Sequence, residues 1–290
     1  MPEWFHVSGV LFNHWVELVV PWFIFAPRRF RHIAGLFLVA FQAGLILSGN
    51  LSFLNWLTLA VCVAAFDDGW LRRLVPRRWR HLGPDTPGEL SISAQRTALA
   101  LAVIVSLLSI GPVMNMMSSD QAMNTSYDRL HLVNTYGAFG TVGQTRREVV
   151  IQGTQDPQPG PQSQWEDYEF PCKPGKLSRA PCVVTPYHHR LDWQLWFAAM
   201  QRAERNPWLV HMVGKLLHGD PTIRRLIAHD PFDGAPPTAI QVSLYEYRFS
   251  DDSGLWWERE YVGRYLRPLR PDDPALLSFM DAQGWPTPVP

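Results

Sequence analysis

Apolar residues divide the chain into two unlike parts. Up to about residue 118 they fall in four long runs, at residues 9–25, 33–47, 51–66 and 97–117; beyond it they come in short alternating or helically spaced groups. A helix that crosses a bilayer needs ~20 apolar residues, with a range of ~17–25, and the first and last runs meet that length. The second and third fall short singly. Joined through Ser48, Gly49 and Asn50, they predict a helical hairpin whose polar tip reaches one surface. Glu17 interrupts the first run and no small-residue cleavage site follows, so this run reads as a span and not as a cleavable signal peptide.

The pattern changes after Asn115. Residues 130–136, 148–152 and 165–170 read as short strands, with Gly137, Gly140 and Gly143 bending the chain between the first two and Glu166, Asp167 and Glu169 forming a solvated edge. Residues 155–164, rich in Pro, Gly and Gln, read as a loop. Helices are predicted over 191–205, ending before Pro207, over 208–218, and over 222–228, with Asp220 as N-cap and Pro221 in the first turn. Residues 239–249 alternate as a strand and pair with 256–264 across a loop carrying Asp251, Asp252 and Gly254. A last helix over 273–283 precedes a Pro-rich tail. The expected fold is a membrane α-helical bundle of about four transmembrane helices over residues 1–118, followed over 119–290 by an α+β domain with a mainly antiparallel sheet.

Charge orients this arrangement. Arg28, Arg29 and Arg31 follow the first run, and Arg72, Arg73, Arg77, Arg78 and Arg80 follow the third, whereas the connection between the second and third runs holds no Lys or Arg. Positive charge stays on the cytoplasmic side. Both basic loops are therefore assigned to the cytoplasm, and the hairpin tip and residues 119–290 to the extracytoplasmic side. Over the whole chain, 26 basic and 26 acidic residues cancel, which argues against a nucleic-acid partner held by bulk electrostatics. Only Lys173, Lys176 and Lys215 among the basic residues are lysine, a pattern that points to a GC-rich, bacterial genome. The 13 tryptophans suit a protein that meets a membrane–water interface.

Ionisable groups gather in the stretch from Tyr187 to Phe197, where His188, His189, Arg190 and Asp192 stand among Tyr187, Trp193, Trp196 and Phe197. Buried charges cost several kcal/mol unless paired, so a satisfied network is expected where a loop enters a helix, with Asp192 in helical reach of His188 or His189. In the first span, Asn13, His14 and Glu17 share a helical face; they read as interhelical hydrogen bonding, with Asn50, Asn55 or Gln42 as partners, or as a functional cluster. Asp67 and Asp68 close the third run as solvated ion-pair partners of the Arg loop. Cys172 and Cys182, set among Pro171, Pro174 and Pro181, are candidates for a structural disulfide worth ~2–3 kcal/mol; free thiols and a redox pair remain alternatives, the latter without Cys-x-x-Cys spacing. His188, His189, His211 and His218 with Asp192 and Asp220 lack a metal-ligand spacing, and no metal or cofactor is expected. No Gly-x-Ser-x-Gly elbow is present.

Several blocks together resemble the lipase maturation factor family. They are residues 11–21 around Asn13, His14 and Glu17, residues 48–56 around Gly49, Asn50 and Trp56, and residues 134–140 with Asn134 and Tyr136. Further blocks are 168–175 with Cys172, the 187–197 stretch with Tyr187, Arg190 and Trp193, residues 206–211 with Trp208, and Gly263 to Leu266. The resemblance implies a multi-pass membrane protein with its large C-terminal domain on the lumenal side. Eukaryotic members reside in the endoplasmic reticulum membrane and bring secreted dimeric lipases to their active form without established catalytic residues; a bacterial member would sit in the plasma membrane. Family members carry additional spans before the segment that opens this chain, so N-terminal spans are expected to be missing. The resulting expectation is a non-enzymatic maturation factor whose partners are the bilayer and secreted clients, met by aromatics such as Trp256, Trp257, Tyr261 and Tyr265. The alternative is a membrane-embedded enzyme distantly similar to vitamin K-dependent carboxylases, with proton transfer by Asn13, His14 and Glu17 or by His188, His189 and Asp192.

Overall fold

The computed structural model describes residues 3–49, 52–82, 91–136, 143, 145–160, 162–251 and 254–285. Asn50, Gly137, Gly140, Asp252 and the Pro-rich tail lie outside these residues. Contacts gather the chain into two compact units, Met1–Ala65 with Thr145–Pro290, and Phe66–Gln144.

In the first unit, α1 (Glu3–Leu18) continues as a 3-10 turn over Val20–Phe25, and α2 (Arg28–Ser48) begins one turn earlier than its apolar run because the arginines wind into it. The two helices meet through Trp15 against Phe37 at 5.0 Å and Phe12 against Phe41 at 6.1 Å, both edge to face. α3 (Leu54–Cys62) with its 3-10 extension to Ala65 is shorter than a bilayer-crossing helix. It is tied to α2 by Asn55 Nδ2, which donates to Gln42 Oε1 at 2.6 Å. Glu3–Phe25, Arg28–Ser48 and Ile92–Met116 are long and apolar enough to cross a membrane.

The remainder of this unit is a four-stranded antiparallel sheet in the order β2-β1-β3-β4, built from β1 (Arg146–Thr154), β2 (Glu166–Asp167), β3 (Ala239–Phe249) and β4 (Trp257–Leu269). Alternation assigns Val149, Ile151, Ile240 and Val242 to one face, where they are buried with Leu195 and Ala198 of α7 (Arg190–Ala199), Leu209, Met212 and Val213 of α8 (Pro207–Leu217), and Leu276 and Met280 of α10 (Pro274–Ala282). Gly214 permits the close approach of α8 to α10, since a Cβ there would stand 2.8 Å from Met280 Sδ. Asp220 caps the short α9 (Pro221–Arg224) by accepting from Thr222 N at 2.7 Å, with Pro221 in the first turn as the sequence predicts.

Three expectations are corrected here. The helix over 222–228 stops at Arg224, because the backbone N–H groups of Ala228 and His229 turn to Glu169 O at 2.8 and 3.2 Å. The helix over 191–205 ends at Ala199, followed by a separate 3-10 turn at Ala203–Arg205. The acidic edge is not free: Asp167 accepts from Gln152 Nε2 at 2.8 Å and Arg259 Nη1 at 2.5 Å, and Glu169 pairs with Arg179 at 3.3 Å.

The second unit holds α4 (Asp68–Leu74), capped by Asp67 accepting from Trp70 N at 2.9 Å, then α5 (Ile92–Leu108) and α6 (Ile110–Met116). Asp67 therefore acts as a helix cap. The strand expected over 130–136 is absent. Asp128 captures the N–H groups of Leu130, Leu132 and Val133 at 2.8, 3.1 and 2.9 Å, donors that a ladder would have used, and the segment meets residues 124–127 through an isolated bridge, Ser126 to Asn134, and a few backbone hydrogen bonds. Those three hydrogen bonds hold the Asp128 carboxyl below the usual carboxylate range.

Candidate functional site

The outer face of the sheet carries a feature that the strand pattern does not announce. At one end, Glu148, Val150, Tyr247 and Trp257 are buried although they point away from the helices. The loop that covers them runs through residues 171–182 and is closed by the Cys172–Cys182 disulfide, with Cα atoms 5.3 Å apart. Leu177 packs into this second cluster, and its carbonyl accepts from Trp256 N and Trp257 N at 2.9 and 3.1 Å. Trp257 Nε1 donates to Arg179 O at 2.9 Å and Tyr247 OH to Gly175 O at 3.3 Å; burial pushes the Tyr247 phenol up to about 12.

Two buried charges anchor the same loop. Lys173 Nζ lies 3.2 Å from Glu148 Oε2, with the side chains 4% and 0% exposed. Glu148 Oε1 also receives Arg146 Nε at 2.9 Å. From the other side Asp192, in the first turn of α7, accepts from Cys172 N at 2.6 Å and Lys173 N at 2.8 Å, both through Oδ2. Its carboxylate is spent on the loop backbone, not on a histidine.

His188 instead packs at a tilt against Trp193 with ring centroids 4.7 Å apart, and His189 is the exposed N-cap residue of α7. The aromatics expected of the motif do converge: Trp193 lies 5.3 Å from both Trp196 and Phe197. Tyr187 is exposed, as are Arg190, Asn134 and Tyr136. Trp256 and Tyr261 are exposed as well, whereas Trp257 is core, and Tyr265 packs against the main cluster and donates to Ala198 O at 2.9 Å.

Beside α7 an open cleft of about 570 Å³ is floored by Leu191, Trp208, Met212, Ile223 and Leu226, with Arg190 and Arg225 at its margin. His211 also lines it, stacked on Trp285 at 4.3 Å with Nε2 buried and unbonded. Burial, reinforced by the Lys215 ammonium and opposed by Asp220, lowers the His211 pKa. The unfolded chain takes up a proton near pH 6.5 that the folded chain resists, so stability is lost as pH falls below about 6.5. Melting temperature should drop between pH 7.5 and 5.5, and His211→Asn should flatten that slope; an unchanged slope would reject the assignment.

In α1, Asn13 Nδ2 lies 3.4 Å from Glu17 Oε2, a pairing within one helix, while His14 and Glu17 are exposed. The interhelical bond expected of this trio is not formed with Asn55 or Gln42; those two residues bond each other instead. Among the described residues no group of three His, Cys, Asp or Glu side chains is arranged to hold a metal ion.

Two family models match the chain: the lipase maturation factor transmembrane domain over residues 1–73 and the lipase maturation factor C-terminal domain over residues 132–267. The chain belongs to the lipase maturation factor family. It is an integral membrane protein. The chain is similar to human lipase maturation factor 1, with 43% identity covering 100% of this chain and 54% of the relative. The bovine lipase maturation factor 1 is 44% identical, covering 100% and 55%. The Xenopus laevis lipase maturation factor 2 is 38% identical, covering 57% and 24%. The chain thus spans about half the length of the lipase maturation factor 1 relatives. No solved structure matches it. The buried pair Lys173–Glu148 was missed from sequence; the only available signal was a charged residue, Glu148, at the head of a β-branched run.

Proposed function

We propose that this chain is a non-enzymatic, membrane-anchored maturation factor that assists the folding or assembly of secreted proteins, lipases among them. The observation that carries the reading is the open, apolar-floored cleft beside α7, built from Leu191, Trp208, Met212, Ile223 and Leu226. A cleft of this kind accepts an extended apolar segment of a client, and exposed apolar surface marks interaction sites. The relatives' names support the client class. The carboxylase-like alternative draws no support from the described residues: Asp192 is engaged by Cys172 and Lys173 N–H groups, His188 rests on Trp193, and Glu17 pairs within its own helix.

The reading places residues 1–118 in the membrane and 119–290 outside the cytoplasm, in the endoplasmic reticulum lumen of a eukaryote or beyond the plasma membrane of a bacterium. The positive-inside assignment of the Arg loops supports it, and so does the seating of the tip of the α2–α3 hairpin against residues 185–186. Crosslinking in intact membranes followed by pull-down of the full chain should recover a set of secreted proteins. Leu226→Glu should cut that recovery several-fold. Recovery of no secreted protein would sink the role, and an unchanged yield from the variant would remove the cleft from it.

A further inference from the structure

α7 begins almost at the end of the membrane hairpin. Ser52 Oγ donates to Pro186 O at 3.1 Å, and Trp56 Nε1 donates to Thr185 Oγ1 at 2.7 Å, so the loop before α7 is bolted to the tip between α2 and α3. Three residues, and so four Cα steps, separate Pro186 from Arg190. Even fully extended, they span at most ~14 Å, and the ten residues of α7 add only ~15 Å. The headgroup layer outside the hydrocarbon core is itself ~5–8 Å deep on each side. The start of α7 is thereby held within ~14 Å of the hairpin tip, close to the layer of polar lipid.

Its side chains fit that level. Just before the helix Tyr187 is 78% exposed; on it Phe197 is 37% and Met200 56% exposed, and half-buried Trp193 and Trp196 join Phe197 in a patch whose three rings lie within 5.4 Å of one another. The opposite face, with Asp192, Leu195, Ala198 and Ala199, is buried against the domain. Arg190 and Gln194 flank the aromatics on the exposed side. Clustered Trp, Tyr and Phe with an adjacent Arg is the composition that partitions into the bilayer interface, where ring bodies are apolar and the polar handles stay wet. A plain core role is ruled out by the exposure.

We propose that the aromatic face of α7 lies in the lipid headgroup layer and fastens the β-sheet domain to the bilayer beside the α2–α3 tip. The bilayer itself is the occupant of this surface. The idea rests on the membrane character of residues 1–73 and not on the maturation role, so the two stand or fall separately.

Nitroxide labels at Tyr187→Cys, Phe197→Cys and Met200→Cys test it, each in the full chain with Cys62→Ala, reconstituted in phosphatidylcholine–phosphatidylglycerol nanodiscs. Glu260→Cys, exposed on β4, is the aqueous control. The face should be relaxed more by dissolved oxygen than by a water-soluble nickel chelate, with a contrast several-fold above that of residue 260. Labels at 187, 197 and 200 that meet the nickel chelate as freely as residue 260 would overturn the proposal. Labels shielded from both reagents would overturn it too, since they would report a protein contact. Tyr187 and Met200 are the two most exposed of the three sites and keep the test readable if the Phe197 variant folds poorly.

Discussion

Lys173→Ala should be among the most damaging single substitutions in the C-terminal domain, lowering its unfolding free energy by about 3–5 kcal/mol. The reason lies in what it leaves behind. Glu148 is fully buried, and removing the ammonium 3.2 Å away strands a carboxylate that only the half-exposed Arg146 still meets. The Lys173 ammonium also donates to Pro174 O at 3.2 Å, a hydrogen bond within the loop that is lost as well. For a domain of this size the loss corresponds to a melting temperature lower by ~6–20 °C. Glu148→Gln combined with Lys173→Met removes both charges and should recover most of the loss, because the desolvation penalty disappears with them. Thermal melts of the parent, Lys173→Ala and the double variant in one detergent check the comparison. A double variant no better than Lys173→Ala would show that the loop is held by packing alone.

The membrane and sheet portions were readable from the chain because their signals are local. Residues 239–244 alternate and the stretch forms β3 with the expected bounds, Ala239–Phe249, although its pairing with β4 shifts register at Leu244/Tyr245; the Arg28–Ser48 helix follows from a long, mostly apolar run with arginines at its start. What could not be read depends on residues far apart in sequence. Glu148 looks like a solvent-facing strand position until a loop some twenty-five residues later lays Lys173 over it. The 130–136 segment carries strand-like composition, yet a single carboxylate, Asp128, diverts its N–H groups. The Tyr187–Phe197 stretch was expected to hold Asp192 in a network with His188 or His189. Proximity in sequence pointed to the histidines, whereas the true acceptor role of Asp192 faces two backbone amides some twenty residues upstream. The polar trio of α1 illustrates the same limit: helical periodicity gathers Asn13, His14 and Glu17 on one side without saying which side meets a neighbour.

Asp192→Ala should cost about 3 kcal/mol, the worth of two hydrogen bonds to a charged acceptor whose donors are left in a poorly hydrated loop. The same change should loosen the Cys172–Cys182 bridge, so mild reductant followed by maleimide should label both cysteines faster than in the parent. Asp192→Asn separates this structural role from acid–base chemistry. Oδ1 of Asp192 is buried and makes no hydrogen bond, so an asparagine can place its amide nitrogen there and keep its oxygen on the N–H groups of Cys172 and Lys173. It should regain at least half of the lost stability and most of the resistance to reduction. A carboxylate that moved protons would show the reverse: client maturation would fail equally in both variants, with melting temperature and thiol reactivity unchanged. Either result decides whether the most ionisable stretch of the chain serves to hold a loop in place or to transform a substrate.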